Sequence, residues 1–292
     1  MFAGTYTAIV TPFRAGQLDE AALARLVKSQ IQGGVDGIVP VGTTGESPTV
    51  DFEEHLRVIE LAIRFAAGKI KVLAGTGANS TTEAIGLTIA AEKAGADGSL
   101  QVAPYYNKPT PEGLYQHFKA IAQNTKLPII LYSIPGRCGI EIAVPTVKRL
   151  AADCKNIIGI KEAGGNADRV SQLRAALGPK FIILSGDDAL TLPFMAVGAQ
   201  GVISVASNVA PRQVATMVRA FAAGNVKKAL QIHQQLYPLF KDLFIETNPV
   251  PVKAALAMLG LIDEEYRLPL VRMGSTNRVT LKAALKASGV LK

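Results

Sequence analysis

Eight short apolar runs recur along the chain. They begin near Tyr6, Gly37, Lys71, Gly98, Pro128, Ile157, Phe181 and Gly201, at spacings of 31, 34, 27, 30, 29, 24 and 20 residues. Between them lie segments with helical periodicity: residues 20–32, 52–67, 82–94, 112–125, 146–152, 168–177, 190–197 and 211–223. Three helix-to-strand turns look alike: Gly34-Val-Asp-Gly-Ile38, Gly95-Ala-Asp-Gly-Ser99 and Gly198-Ala-Gln-Gly-Val202. In each, the first glycine can take the left-handed conformation that stops a helix, and the second opens the next strand. Parallel strands need helical crossovers, so eight such units predict an α/β fold of the (β/α)8 TIM-barrel type. An open doubly wound sheet fits less well, because no GxGxxG follows the first strand.

After Gly224 the pattern is helical only, over residues 226–244, 252–259 and 279–287. This predicts a catalytic barrel over residues 1–224 and a C-terminal helical domain over 225–292. The chain has 292 residues, 49% of them hydrophobic, enough for a core of that size. Two cysteines, Cys138 and Cys154, with no CxxC and no His/Cys cluster, argue for a reducing compartment and against a disulfide frame or structural zinc. The N-terminus lacks a cationic leader and no apolar run approaches membrane-spanning length, which predicts a cytoplasmic protein with no membrane partner. The net charge is +8, and residues 221–292 supply +5 of it with ten basic and five acidic residues. No basic block with interleaved aromatics occurs, so nucleic acid is not the expected partner. The surplus instead favours the approach of a small carboxylate.

In a barrel of this kind, reactive side chains stand at the C-terminal ends of strands. The run Ile157-Ile-Gly-Ile160 reads as a strand buried on both faces, and Lys161 ends it. A buried ammonium is costly, and desolvation favours the neutral amine, which can form a Schiff base with a ketone. The alternative is a strand-end lysine that reaches solvent. Gly42-Thr-Thr-Gly-Glu-Ser47 offers hydroxyls and free N–H groups, either as a carboxylate cradle or as an ordinary capped turn. Asn79 and Ser80 follow a second glycine turn and either serve a site or cap the next helix. Tyr105 and Tyr106 are adjacent in a proline-bounded loop, so one can face the site and the other a partner surface. Tyr132 can relay a proton and Arg137 can clamp a carboxylate with its planar fork, or both can be loop residues. Asp187 and Asp188 suit metal or acid–base work, or helix capping. No metal or nucleotide motif appears, and the set suits imine chemistry on a keto acid.

The ordered segments Val41-Gly-Thr-Thr-Gly-Glu-Ser47, Ala74-Gly-Thr-Gly-Ala-Asn79, Pro104-Tyr-Tyr-Asn-Lys-Pro109, Tyr132-Ser-Ile-Pro-Gly-Arg137, Gly159-Ile-Lys-Glu-Ala163, Leu184-Ser-Gly-Asp-Asp188 and Asn248-Pro-Val-Pro-Val-Lys253 carry a resemblance over essentially the full length. The chain resembles the pyruvate-dependent class I aldolases that include N-acetylneuraminate lyase, and within them the dihydrodipicolinate synthase family of lysine biosynthesis. The resemblance implies a cofactor-free, metal-free lyase that joins pyruvate to L-aspartate 4-semialdehyde, as a homotetramer or homodimer. It implies that Lys161 forms the Schiff base and that Tyr132 shuttles protons in a hydroxyl triad with Thr43 and a neighbouring subunit's Tyr106. Thr44 then binds the pyruvate carboxylate, the Ile203 backbone lines the pocket, and Arg137 binds the semialdehyde carboxylate. A cleft of Ser47, Pro48, His55, Asn79, Glu83 and Tyr105 is implied as a site for inhibitory L-lysine.

Ser133, Cys138 and Gly164 depart from the usual Asn, Thr and Thr of the family. Phe52 stands where many inhibited members carry a second histidine. Two other readings remain open at this stage: an aldolase or dehydratase of a sugar-derived 2-keto acid, which gains nothing from Arg137, and a non-catalytic acid sensor on the same barrel.

Overall fold

The computed structural model describes residues 2–291. Eight parallel strands close into a barrel: β1 (Gly4–Ala8), β2 (Gly37–Val39), β3 (Lys71–Gly75), β4 (Gly98–Val102), β5 (Ile129–Ser133), β6 (Ile157–Glu162), β7 (Ile182–Ser185) and β8 (Gly201–Ser204). Each pairs with the next in chain order, and β8 returns to β1 with Gly4 opposite Gly201 and Thr7 opposite Ser204. The helices α1 (Glu20–Gly33), α2 (Phe52–Ala66), α3 (Thr81–Ala94), α4 (Pro111–Gln123), α5 (Val144–Asp153), α6 (Ala167–Leu177), α7 (Thr191–Ala196) and α8 (Pro211–Ala222) follow the strands in turn. Closure removes the open-sheet alternative. A small hairpin, Phe13–Arg14 with Gln17–Leu18, lies between β1 and α1 and was not expected from the sequence.

The three look-alike turns are joints with a common construction. Gly34, Gly95 and Gly198 have φ of 75°, 93° and 110°, which a side chain would resist. The third residue of each turn then accepts a backbone N–H from the preceding strand. Asp36 takes that of Thr5, Asp97 that of Val72 and Gln200 that of Ile183, each at 2.8 Å. One tetrad thus stops a helix, bonds one strand and starts the next.

Side chains alternate between the barrel interior and its outer face. Tyr6, Leu73, Leu100, Ile130, Tyr132, Leu184 and Ile203 fill the interior. Beyond the barrel, α9 (Val226–Asp242), α10 (Val250–Met258) and α11 (Ser275–Ala287) follow. The last begins before the predicted residue 279, because Ser275, Thr276 and their neighbours form a polar, solvent-facing turn without apolar periodicity. Leu236, Leu256 and Leu285 of these helices share one core with Leu26 of α1 and Met217 of α8. Each fully buried leucine contributes roughly 1.5–3 kcal/mol. No helix among the described residues is long and apolar enough to cross a membrane.

One polar joint ties the C-terminal helices to the barrel rim. Lys253 of α10, fully buried, bonds Glu46, and the backbone N–H of Arg267 donates to the other Glu46 oxygen at 3.1 Å. Lys253 Nζ also stands 4.4 Å from the centre of the Phe13 ring. Removing one member of a buried pair leaves an uncompensated charge. Lys253→Met, which keeps most of the volume, is therefore expected to destabilise the fold by about 3–5 kcal/mol in urea unfolding. A Lys253→Met protein as stable as its parent would show that the pair is dispensable.

Candidate active site

Lys161 lies in β6 directly opposite Tyr132 of β5, so both side chains enter the barrel at one level. Lys161 is 6% exposed, and its Nζ stands 4.2 Å from the centre of the Tyr132 ring. Burial pulls its pKa down to about 7; Asp188 opposes this and Arg137 adds to it. The amine is thus substantially neutral near neutral pH, and among the described residues no carboxylate forms an ion pair with it. Gly186 leaves room for its side chain, since a Cβ there would stand 3.0 Å from Lys161 Cε and 2.6 Å from Ala163 Cβ.

Asp188 proves to be a hydrogen-bond acceptor. It is buried and receives the Ser204 hydroxyl and the N–H groups of Val205 and Ala206 at 2.9 and 3.0 Å. Asp187 accepts the Ala189 N–H at 2.8 Å, as a capping residue does. Among the described residues no cluster of His, Cys, Asp or Glu could hold a metal ion.

A single helical turn, Thr43–Gly45, follows β2. Thr44 is buried, and its hydroxyl accepts the side-chain N–H of Asn248 at 3.0 Å. Tyr132 is buried as well, which pushes its phenol above the ordinary range, while Arg137 and Thr43 act in the opposite sense. Arg137 stands exposed in the turn Pro135–Cys138 and donates to the Asn248 carbonyl at 3.4 Å. Lys161, Tyr132, Thr43, Thr44, Arg137, Phe244 and Asn248 line one cavity at the barrel mouth. A second, outer cavity shares Thr43, Tyr132 and Arg137 with it and extends to Tyr105 and Cys138.

Two expected residues stand apart from that cavity. Ile203 is buried in the barrel interior, and Val205 rather than Ile203 lines the cavity wall. Tyr106 is 90% exposed with φ of 73° and does not line either cavity of its own chain. Phe244 and Asn248 were missed as site residues. They come from the segment after α9, far from the strand ends in sequence; the quoted Asn248-to-Lys253 motif hinted at Asn248, and nothing in the sequence hinted at Phe244.

Ser47, Pro48, His55, Asn79, Glu83 and Tyr105 line one cleft beside the outer cavity, together with Phe52. His55 Nε2 bonds the Gly75 carbonyl at 2.7 Å, and burial lowers its pKa, which favours the neutral ring. Asn79 donates to the Tyr105 carbonyl at 3.1 Å, and Ser80 caps α3. Ser47, Pro48, Gly77 and Tyr105 belong to both the cleft and the outer cavity. The three departures also have structural places. Ser133 Oγ accepts the Ile142 N–H at 3.3 Å, and Gly164 donates its N–H to Glu162 at 2.8 Å. The Cys138 thiol is buried, which pushes its pKa up to about 11.

Residues 1–288 match the family described as the dihydrodipicolinate synthetase family. The chain is 55% identical over 293 residues to 4-hydroxy-tetrahydrodipicolinate synthase of Persephonella marina, covering 100% of both. It is 60% identical to the solved structure of that enzyme from Methylacidiphilum fumariolicum SolV, with a TM-score of 0.98 over 99% of this chain and 96% of that one. A lysine-bound crystal structure of the Cyanidioschyzon merolae protein is 42% identical, with a TM-score of 0.97 over 99% of each chain. The order of the motifs, the closed barrel and these matches agree: the chain belongs to the dihydrodipicolinate synthetase family.

Proposed function

We propose that this protein condenses pyruvate with L-aspartate 4-semialdehyde to 4-hydroxy-tetrahydrodipicolinate, a step of lysine (diaminopimelate) biosynthesis. The observation that carries this reading is Lys161, a neutralised amine sealed at the barrel mouth beside Tyr132. Family membership supplies the substrate pair. Lys161 attacks the keto carbon of pyruvate, and loss of water gives the imine. Thr44 donates its hydroxyl to the pyruvate carboxylate, with the Ile203 backbone lining the pocket. Tyr132 moves protons with Thr43, first onto the departing hydroxyl and then from the methyl group as the enamine forms. The enamine carbon attacks the aldehyde, and the adduct's own amine displaces Lys161 as the ring closes. Arg137 at the cavity mouth holds the semialdehyde carboxylate, a task for which a sugar-aldehyde lyase needs no cation there.

Tyr106, extended from its own chain, completes the hydroxyl relay of a second copy, so the working form is a homodimer or homotetramer. The two cysteines are free and buried, which accords with a cytoplasmic location.

Borohydride reduction with pyruvate should place the adduct on Lys161 by peptide mass mapping. A depressed amine pKa means the reactive form is lost as pH falls, so trapping should rise through about pH 7 and level off above it. An ordinary lysine would keep rising towards pH 10. Lys161→Arg should trap nothing, because a guanidinium stays protonated.

Arg137→Ala should raise KM for the semialdehyde by a factor corresponding to roughly 2–4 kcal/mol while imine trapping with pyruvate survives. Equal losses for both substrates would assign Arg137 to the fold or a subunit contact instead.

The cleft beside the outer cavity suits L-lysine, with Glu83 receiving the α-ammonium and Asn79 and His55 the other polar ends. The lysine-bound Cyanidioschyzon merolae relative supports this reading. Partial inhibition by L-lysine, weakened in Glu83→Ala, is expected in steady-state assays. An unchanged rate at saturating lysine, with no heat of binding by calorimetry, would remove the cleft from regulation.

A further inference from the structure

We infer that Asn248 is a positioning residue that holds the two carboxylate-binding groups, Thr44 and Arg137, in register across the cavity. The inference rests on the proposed reaction, which gives one carboxylate to each of them. Asn248 is 5% exposed and lines the cavity with both groups. Its side-chain N–H donates to Thr44 Oγ1 at 3.0 Å, and its backbone carbonyl accepts from Arg137 Nη2 at 3.4 Å. One residue of the C-terminal segment therefore touches both sides of the cavity, which the barrel builds from β2 and β5 loops far apart in sequence.

The Thr44 contact has a directional consequence. A hydroxyl has one hydrogen to give and two lone pairs to receive with. The bond from Asn248 occupies a lone pair, and Thr44 Oγ1 makes no other hydrogen bond among the described residues. Its own hydrogen is left for the cavity, where an anionic carboxylate is the natural acceptor. The reversed amide would consume that hydrogen instead. Asn248 is itself held on a short tether, since Lys253 of the same segment is locked to Glu46, which ends the turn carrying Thr44. Its Oδ1 is buried with no partner among the described residues, so the Thr44 hydroxyl is the side chain's one hydrogen-bond contact there.

The test is steady-state kinetics with both substrates on Asn248→Ala and Asn248→Asp, beside borohydride trapping on the parent protein. Asn248→Ala is expected to raise KM for pyruvate and for the semialdehyde together by about five- to tenfold, with a smaller fall in kcat. Arg137→Ala, by contrast, moves the semialdehyde alone. Asn248→Asp keeps the shape but can only accept, so it takes the Thr44 hydrogen and sets a negative charge beside the pyruvate carboxylate. It should raise KM for pyruvate more than Asn248→Ala does.

A purely structural role would lower the melting temperature and the active fraction but leave KM unchanged, because KM does not depend on how much enzyme is active. KM values within about twofold of the parent in either folded variant would overturn the inference, as that is below the loss of one hydrogen bond. So would an Asn248→Asp protein that binds pyruvate no worse than Asn248→Ala. The near-isosteric Asp variant keeps the test available if the Ala variant fails to fold. Absence of an adduct on the parent would sink the proposed reaction and this inference with it, whereas an active parent with unmoved variants would sink this inference alone.

Discussion

The buried bond between Lys253 and Glu46 fixes where the groups of the cavity can stand. Glu46 ends the turn that carries Thr43 and Thr44, and its backbone sits at φ of 56°, a conformation a residue with a side chain holds only when its surroundings insist. Three things do. Lys253 takes one carboxylate oxygen, the Arg267 N–H takes the other, and the Arg267 guanidinium reaches Glu54 and the Thr49 carbonyl on the same stretch. The C-terminal helices are therefore part of the site's frame, although none of them contributes a strand-end residue.

The molecule buries a second lysine under the opposite terms. Lys253 touches a carboxylate and two aromatic faces, so its charge has a use inside the protein. Among the described residues Lys161 has the face of Tyr132 and a carboxylate, Asp188, that is already committed to Ser204 and two backbone N–H groups. Burial lowers the pKa of both. For Lys253 the opposing anion, Glu46, is in direct hydrogen-bonded contact; for Lys161 the opposing anion, Asp188, acts without a bond to it, and Arg137 deepens the shift. A fixed ion pair holds the ammonium of Lys253, whereas Lys161, without one, gives up its proton more readily.

The fold was legible because its period is long and its joints repeat. Gly34, Gly95 and Gly198 mark helix ends by a conformation few other residues accept, and periodicity marks the rest. The strand-end rule then brought Lys161, Tyr132, Thr43, Thr44 and Arg137 to one mouth, where the structure also finds them. What stayed hidden depends on contacts between distant parts of the chain. Asn248 and Phe244 reach the cavity by packing of the last third of the molecule, which no local pattern encodes. Asp188 looked equally suited to metal work and to capping; the deciding fact is which N–H groups of β8 and the following turn come within reach. The hairpin at Phe13–Leu18 was too short to carry a period, and its Phe13 ring packs against Lys253 and Arg267.

The cleft and the cavities share walls rather than a distant wire. His55 bonds the carbonyl of Gly75, which lines the outer cavity, and Asn79 bonds the carbonyl of Tyr105, which lines both spaces. Burial favours the neutral form of the His55 ring, and Glu83 is the carboxylate that lines the cleft. Burial raises the Tyr105 phenol and Glu83 raises it further, so neutralising Glu83 changes the field at a residue whose neighbour is Tyr106. Tyr106 already sits in a left-handed backbone at φ of 73°, poised on the same short loop. A guest that ordered Tyr105 would act on the loop that carries Tyr106. Coupling of this kind is typically about 1–3 kcal/mol, enough to slow turnover without dismantling the site.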